Sequence, residues 1–432
     1  ALGFNVVGVA PATIAATVGG NLVLNPGSSP TAGVRIGSPA ANLAGGNITL
    51  NVPNGSLALN GAVAGETAIR TAGDITVNAN TIFINNLVSG ANVLLDSVLG
   101  VNLGGVAAIT ATAASGDSLK VDAGSVSFVN TAGAGALNTA AGARWLVFSA
   151  NPANDTRGGL AYDFKQYGKA IGDATPILGT GDGFLYSLAP SVTASLVGLV
   201  SKAYDGTTVA TLGAGNYSVT GLLGDVVTLN NFTVGSYDTR NVGVGKLVTV
   251  NGLAVASVLD GGASVFGYSP VVGAVTGAVG RVTGTSLTLS TAAVTKDYDG
   301  TASALGTAVV TNGALAAGDT LSGGSFAFGN RHAGANKTVT VSGITVNDGN
   351  GGANYSVNLV NNTSSTINQL ASVSWTGSAG DGLWSSASNW AGGAIPDRAN
   401  VAAVVIPAGA GTVLLDPLVG TVSIQSLASA RP

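Results

Sequence analysis

Lys202-Ala203-Tyr204-Asp205-Gly206-Thr207 returns 94 positions later as Lys296-Asp297-Tyr298-Asp299-Gly300-Thr301. Gly224-Asp225 and Gly318-Asp319 keep the same offset. With small deletions the match continues: Arg240-Asn241-Val242-Gly243 faces Arg331-His332-Ala333-Gly334, and Asp260-Gly261-Gly262-Ala263 faces Asn350-Gly351-Gly352-Ala353. Each copy alternates apolar and polar residues in short runs broken by Gly, Asn and Asp, the pattern of half-buried strands joined by turns. The chain therefore contains a tandem duplication of a small β-sandwich or β-grasp-like module, spanning 199–286 and 287–369. In each, Tyr204, Asp205 and Gly206, or Tyr298, Asp299 and Gly300, read as a tight turn closing a strand. Asp bonds its own backbone there, and Gly avoids the Cβ clash of a positive φ.

Upstream, residues 1–143 carry a shorter period. Gly20-Asn21, Gly46-Asn47, Gly73-Asp74 and Gly116-Asp117 each open an alternating apolar run. Steps of 26 and 27 residues separate Asn21, Asn47 and Asp74. A period in the twenties with a strand in every unit predicts a right-handed parallel β-helix, in which each coil hydrogen-bonds the next. A β-sandwich with long loops is the competing reading. Residues 144–198 concentrate aromatics and charges, in Arg144-Trp145-Leu146-Val147-Phe148 and Tyr162-Asp163-Phe164-Lys165-Gln166-Tyr167. They read as a cap or connector over the solenoid's unpaired edge. Residues 370–432 form a Trp-rich C-terminal β segment. Trp375, Trp384 and Trp390 have two readings, a sugar-stacking face or the core of a small unit that restarts a solenoid.

Composition agrees with an all-β chain. Charged residues are 8% of the 432, and 66 are glycine, against about 25% charged in ordinary globular proteins. Helix formers with long side chains are scarce. Cysteine is absent, which removes disulfides and thiolate metal sites. The net charge is −4 and no basic stripe appears, which argues against a nucleic-acid partner. The charge-free stretch Gly261–Gly280 is too rich in glycine for a membrane span and reads as β structure.

The sequence offers little to a catalyst. His332 is the only histidine, and its counterpart in the first module is Asn241. Nucleophilic catalysis needs a base beside the nucleophile, and no Gly-x-Ser-x-Gly elbow is present. Asp182, Asp297 and Asp299 fit no calcium-loop pattern. Paired carboxylates for glycoside cleavage would have to come from Asp74, Asp96, Asp117 and Asp122, which are thinly spread. The expectation is a non-enzymatic protein with no cofactor and no metal.

The 144–186 motifs, including Gly181-Asp182-Gly183-Phe184-Leu185-Tyr186, together with both Tyr-Asp-Gly modules, resemble the two-partner-secreted exoproteins of Gram-negative bacteria. These are the filamentous-haemagglutinin-like and high-molecular-weight-adhesin-like families. The resemblance implies a secreted β-helical stalk, an outer-membrane secretion partner, and display at the cell surface or in the extracellular matrix. It also implies adhesion and aggregation, with a glycan or protein on a host or cell surface as receptor. It carries over no binding residue. Two alternatives stand beside it. One is a fibre subunit that self-associates end to end, beginning from the strand-like run Leu2–Val7. The other is a polysaccharide-binding or polysaccharide-active protein.

Overall fold

The computed structural model describes residues 12–26, 34–38, 45–61, 67–220, 224–269 and 273–430. Leu2–Val7 lies outside them. The described chain is nearly all β, with 3-10 turns of three residues as its helical elements. It divides into two compact units. One comprises Ala1–Leu196, Gly213–Phe232 and Val250–Val275; the other comprises Val197–Leu212, Thr233–Thr249 and Thr276–Pro432. The stretch read as the first module is thus shared between them.

The first unit is built on parallel ladders. Ile14–Thr17, Ile48–Leu59, Ile75–Ile84, Val93–Leu103, Gly116–Asp122 and Ala143–Ser149 pair in that order, each parallel to the next. Register keeps like residues over like. Leu50, Val77, Leu95, Val121, Val147 and Phe184 form one continuous column, every member at most 1% exposed. The alternation seen in the sequence is what permits this, since successive strand residues face opposite sides. The outward column holds Asn51 over Asn78, whose amide nitrogen donates to the Asn51 side-chain oxygen at 2.7 Å. The Gly-Asn/Asp phrase stacks too: Asp74 N donates to Asn47 Oδ1 at 3.0 Å, and Asn92 N to Asp74 Oδ1 at 3.1 Å.

The long strands bend where their register shifts, between Val52 and Ser56 and between Ala79 and Thr81. Gly55 sits in the first bend, where a Cβ would lie 2.6 Å from the Gly20 carbonyl. A second parallel sheet runs beside the first, ordered Leu137–Thr139, Ala108–Ala111, Leu87–Gly90, Thr67–Arg70, Ile36–Gly37.

Strands within the 144–198 stretch extend the large sheet, while Thr193–Leu196 pairs antiparallel with Tyr217–Thr220. Ala143–Ser149 pairs parallel with Gly183–Tyr186, which pairs with Phe164–Tyr167. Ala263–Phe266 joins Phe164–Tyr167 in parallel, and the sheet then turns antiparallel through Val255–Asp260 to Val226–Leu229. The large sheet is therefore mixed. Aromatic side chains suit this position because their rings fill the inner columns: Phe184, Tyr186 and Tyr167 are buried. Of Gly261–Gly280, the parts Ala263–Phe266 and Val275–Thr283 are strand. No helix among the described residues is long and apolar enough to cross a membrane.

In the second unit the duplicated modules build alike. Val200–Ala203 pairs parallel with Val275–Thr283, as Thr295–Asp297 does with Asn362–Asn368, and each short strand runs into its Tyr-Asp-Gly turn. Thr320–Phe328 and Gly334–Asn347 form an antiparallel hairpin beside Asn362–Asn368. Thr285–Thr291 pairs with both Ala308–Asn312 and Tyr355–Leu359. The tail is again a parallel ladder, Leu370–Ser374 to Val401–Ile406 to Ser426–Ser429.

The inner columns carry the first unit, so truncation there is expensive. Ile82 is 0% exposed between Leu57 and Val101. Ile82→Ala is expected to cost about 2–5 kcal/mol in urea denaturation. Val98→Ala, at a side chain 59% exposed, is expected to stay within about 0.5 kcal/mol.

Candidate functional site

The Tyr-Asp-Gly turns fold identically. Asp205 Oδ1 accepts hydrogen bonds from Thr207 N at 2.8 Å, Thr207 Oγ1 at 2.9 Å and Lys202 Nζ at 2.7 Å. Asp299 Oδ1 accepts from Thr301 N at 2.9 Å, Thr301 Oγ1 at 2.9 Å and Lys296 Nζ at 2.7 Å. Partial desolvation opposes ionisation of both carboxyls. The donors outweigh it and hold each below the usual carboxylate range. Gly206 and Gly300 have φ of +81° and +77°. Both are also pressed against the next part of the chain. A Cβ on Gly206 would lie 2.9 Å from the Ala316 methyl, and one on Gly300 would lie 2.6 Å from the Gly393 carbonyl.

That contact leads to the tyrosines. The Tyr204 hydroxyl bonds outside its own module. It donates to Asp319 Oδ2 of the second module at 2.9 Å, and Tyr355 donates to the same oxygen at 2.7 Å. The rings meet edge to face, centroids 5.3 Å apart. Arg240, from the same module as Tyr204, places its guanidinium nitrogen 3.1 Å from Asp319 Oδ1 and donates to the Asp348 carbonyl at 2.6 Å. The Asp319 side chain is fully buried. Beside it, the buried Asn354 accepts from Val242 N at 2.9 Å and donates to Asn241 Oδ1 at 3.2 Å.

The second module repeats the arrangement against the tail. Tyr298 donates to the Ile395 carbonyl at 3.0 Å and lies 3.2 Å from Asp397 Oδ1. Arg331 donates to Asp397 Oδ2 at 2.6 Å. Asn400, 1% exposed, accepts from Ala333 N at 2.7 Å and meets His332 Nδ1 at 3.0 Å. Arg331, His332, Ala333 and Asn400 thus do what Arg240, Asn241, Val242 and Asn354 do one module earlier.

A third version lies in the first unit. Asp225, the counterpart of Asp319, accepts at Oδ2 from Tyr167 at 2.8 Å and Tyr268 at 2.7 Å. Those rings also meet edge to face, 5.2 Å apart. Here the cation is Lys165, which bonds Asp225 Oδ1 and stands 2.8 Å from Asp260 Oδ2. Asp260 also accepts from Arg157 at 2.9 Å and Tyr162 at 2.5 Å. Desolvation opposes ionisation of Asp260, but its donors Lys165, Tyr162 and Arg157 prevail and hold it down to about 2.

The chemistry of all three joints is the same. A buried carboxylate is tolerable only when it is ion-paired and hydrogen-bonded. Each aspartate on one segment gets its cation and its tyrosine from an earlier segment. Burial, with the neighbouring carboxylate adding to it, pushes the Tyr204 and Tyr298 phenols up to about 12. An arrangement of this kind positions successive modules on one another.

The tryptophans support the Asp397 joint. Trp375, Trp384 and Trp390 are 4%, 7% and 2% exposed, with Trp390 edge to face against both others. Trp384 Nε1 donates to the Pro396 carbonyl at 2.9 Å, fixing the loop that carries Asp397. In this arrangement a sugar ring has no open indole face on which to stack. Asp182 accepts from Trp145 N at 2.8 Å as a turn carboxylate. Among the described residues no group of three or more His, Cys, Asp or Glu is placed to hold a metal. The sequence reading quoted Asp225, Asp319, Arg240 and Arg331 as repeat markers without pairing them to the tyrosines. It did not single out Tyr268, Tyr355 or Asn400; the Tyr-Ser pair shared by both modules is the signal that links the first two.

Tyr204→Phe and Tyr298→Phe each remove a donor from a buried acceptor. Each is expected to cost about 1–3 kcal/mol in thermal or urea unfolding. His332 gives the Asp397 joint a pH dependence. Burial, followed by Arg398, holds His332 below its ordinary value of 6.5, against the opposing Asp397, with Arg331 and Lys337 adding to the depression. The fold therefore favours neutral His332, whose Nδ1 accepts from Asn400. This contribution is whole above pH 6.5 and is lost as pH falls through the lowered folded value. His332→Asn, which copies Asn241, is expected to flatten the melting temperature between about pH 7 and 5 relative to the parent chain. Equal slopes in the two proteins would contradict the assignment.

Comparison with curated proteins and with solved structures returned no match. Against models of protein families, residues 189–264 and 283–366 match the YDG domain, so the duplicated Tyr-Asp-Gly modules are two YDG domains in tandem.

Proposed function

We propose that this chain is an extracellular bacterial structural and adhesive protein of the two-partner-secreted, haemagglutinin-like kind, a secreted surface or matrix component that mediates attachment or aggregation. The observation that carries this reading is the threefold joint. Tyr167, Tyr204 and Tyr298, with Lys165, Arg240 and Arg331, each ground a buried aspartate further along the chain. Polar side chains arranged in this way serve connection. A chain that projects or links surfaces needs modules that stay in fixed order under load, and stacked repeats supply length. The parallel ladders of the first unit support a right-handed β-helix there, because parallel crossovers are right-handed in nearly all proteins. The receptor would be a glycan or a protein on a host or cell surface, and export would use an outer-membrane partner.

One observation favours self-association as the second reading. Ser426–Ser429, the outer strand of the tail ladder, is exposed at every residue. A strand edge of this kind accepts another chain by strand addition.

Beads coated with the purified chain are expected to bind bacterial or epithelial cells, or to clump with one another, more than beads coated with a disulfide-free globular protein. Binding no greater than the control on every cell type, together with a strictly monomeric sedimentation profile, would remove both readings.

A further inference from the structure

The three joints share one design and differ in one atom type that matters chemically. The second and third use arginine, Arg240 and Arg331, whose guanidinium groups remain charged and non-nucleophilic. The first uses a lysine. The ladder places Lys165 in the inner column, between Phe184 and Val265, where the neighbouring positions are apolar. Its side chain and that of Asp225 are both fully buried, whereas Arg240 and Arg331 are 31% and 34% exposed. A lysine removed from water this completely becomes a nucleophile once it loses a proton.

The rest of the site fits an acyl acceptor. Lys165 Nζ contacts Asp225 at Oδ1. On the other oxygen, Oδ2, the Tyr167 and Tyr268 hydroxyls donate at 2.8 and 2.7 Å. Two donors fixed on one carboxyl oxygen are the arrangement that stabilises negative charge developing there in a tetrahedral intermediate. Asp260 Oδ2, 2.8 Å from Nζ, is a second carboxylate within reach of the lysine's protons.

We propose that Lys165 and Asp225 condense to an intramolecular isopeptide bond, which joins the aromatic 144–198 segment covalently to the first YDG domain. The reaction balances without any co-reactant. An ammonium proton passes from Nζ to Oδ1 of Asp225, which it contacts directly. The amine nitrogen forms a bond to Cγ, with the charge on Oδ2 held by the two tyrosines. The Cγ–Oδ1 bond then breaks, and Oδ1 leaves as water with a second proton from nitrogen. The ammonium and the carboxylate become one neutral amide, so a buried ion pair is replaced by a group far less costly to desolvate. The proposal stands independently of any adhesive role.

The test is the intact mass of the purified full chain, with a Lys165→Arg variant beside it. The parent is expected about 18 Da below its sequence mass, one water lost. Tandem spectra are expected to contain a branched peptide joining Lys165 to Asp225. Lys165→Arg, which copies the other two joints, is expected at its full sequence mass. A parent chain at full sequence mass overturns the proposal even if the variant does not fold. A deficit that persists in Lys165→Arg overturns it as well, because cyclisation at an Asp-Gly pair such as Asp260-Gly261 loses the same water.

Discussion

A buried carboxylate is the constraint on which this molecule's order depends. Asp225, Asp319 and Asp397 lie in segments unable to hold them alone, because each needs a cation and a phenol supplied from an earlier stretch of chain. Leaving one partner out strands a charge in a low-dielectric interior, at a cost of about 3–5 kcal/mol. Apolar contact between modules would tolerate sliding or substitution of one module for another. Charge and hydrogen-bond geometry tolerate much less, so these joints specify which face meets which.

The parallel ladder contributes in a different way. Its in-register columns repeat chemistry along the stack, which favours apolar residues inside and asparagines outside. Leu50, Val77, Leu95, Val121, Val147 and Phe184 obey that rule, and Asn51 and Asn78 obey it on the other face. Lys165 follows Phe184 in the same column and breaks the rule. A charged residue at a column position is explained by what it meets, and here it meets two aspartates.

Much of this was legible before any coordinates. The duplication, the all-β class, the strand-and-turn reading of Tyr204-Asp205-Gly206, and the stacked Gly-Asn phrase all follow from spacing and residue type. The partners of the tyrosines do not, for a definite reason. Comparing two copies aligns Tyr204 with Tyr298 and Asp225 with Asp319, which are equivalent residues. Bonded partners lie across the copies, 115 residues apart for Tyr204 and Asp319 and 99 for Tyr298 and Asp397. Self-comparison is blind to that offset. The Asp397 joint was harder still, since Asp397 sits in a Trp-braced loop of different sequence. The strands within 144–198 were hard to place because bulky aromatics suit a cap as well as a filled column.

Duplicated parts are most informative where they differ. Asn241 and His332 occupy one position against Asn354 and Asn400, and both satisfy the same amide. Only the imidazole changes charge near neutral pH. Arg240, Arg331 and Lys165 occupy one role against three aspartates, yet only the amine of Lys165 can become a nucleophile. The shared geometry fixes what every joint must do, namely neutralise a buried carboxylate and orient its phenols. Within that frame a single side-chain exchange adds a property to one joint without disturbing the others: pH sensitivity in one case, and the capacity for covalent closure in the other. A repeat built on polar joints can therefore diversify its connections one at a time while its strands stay the same.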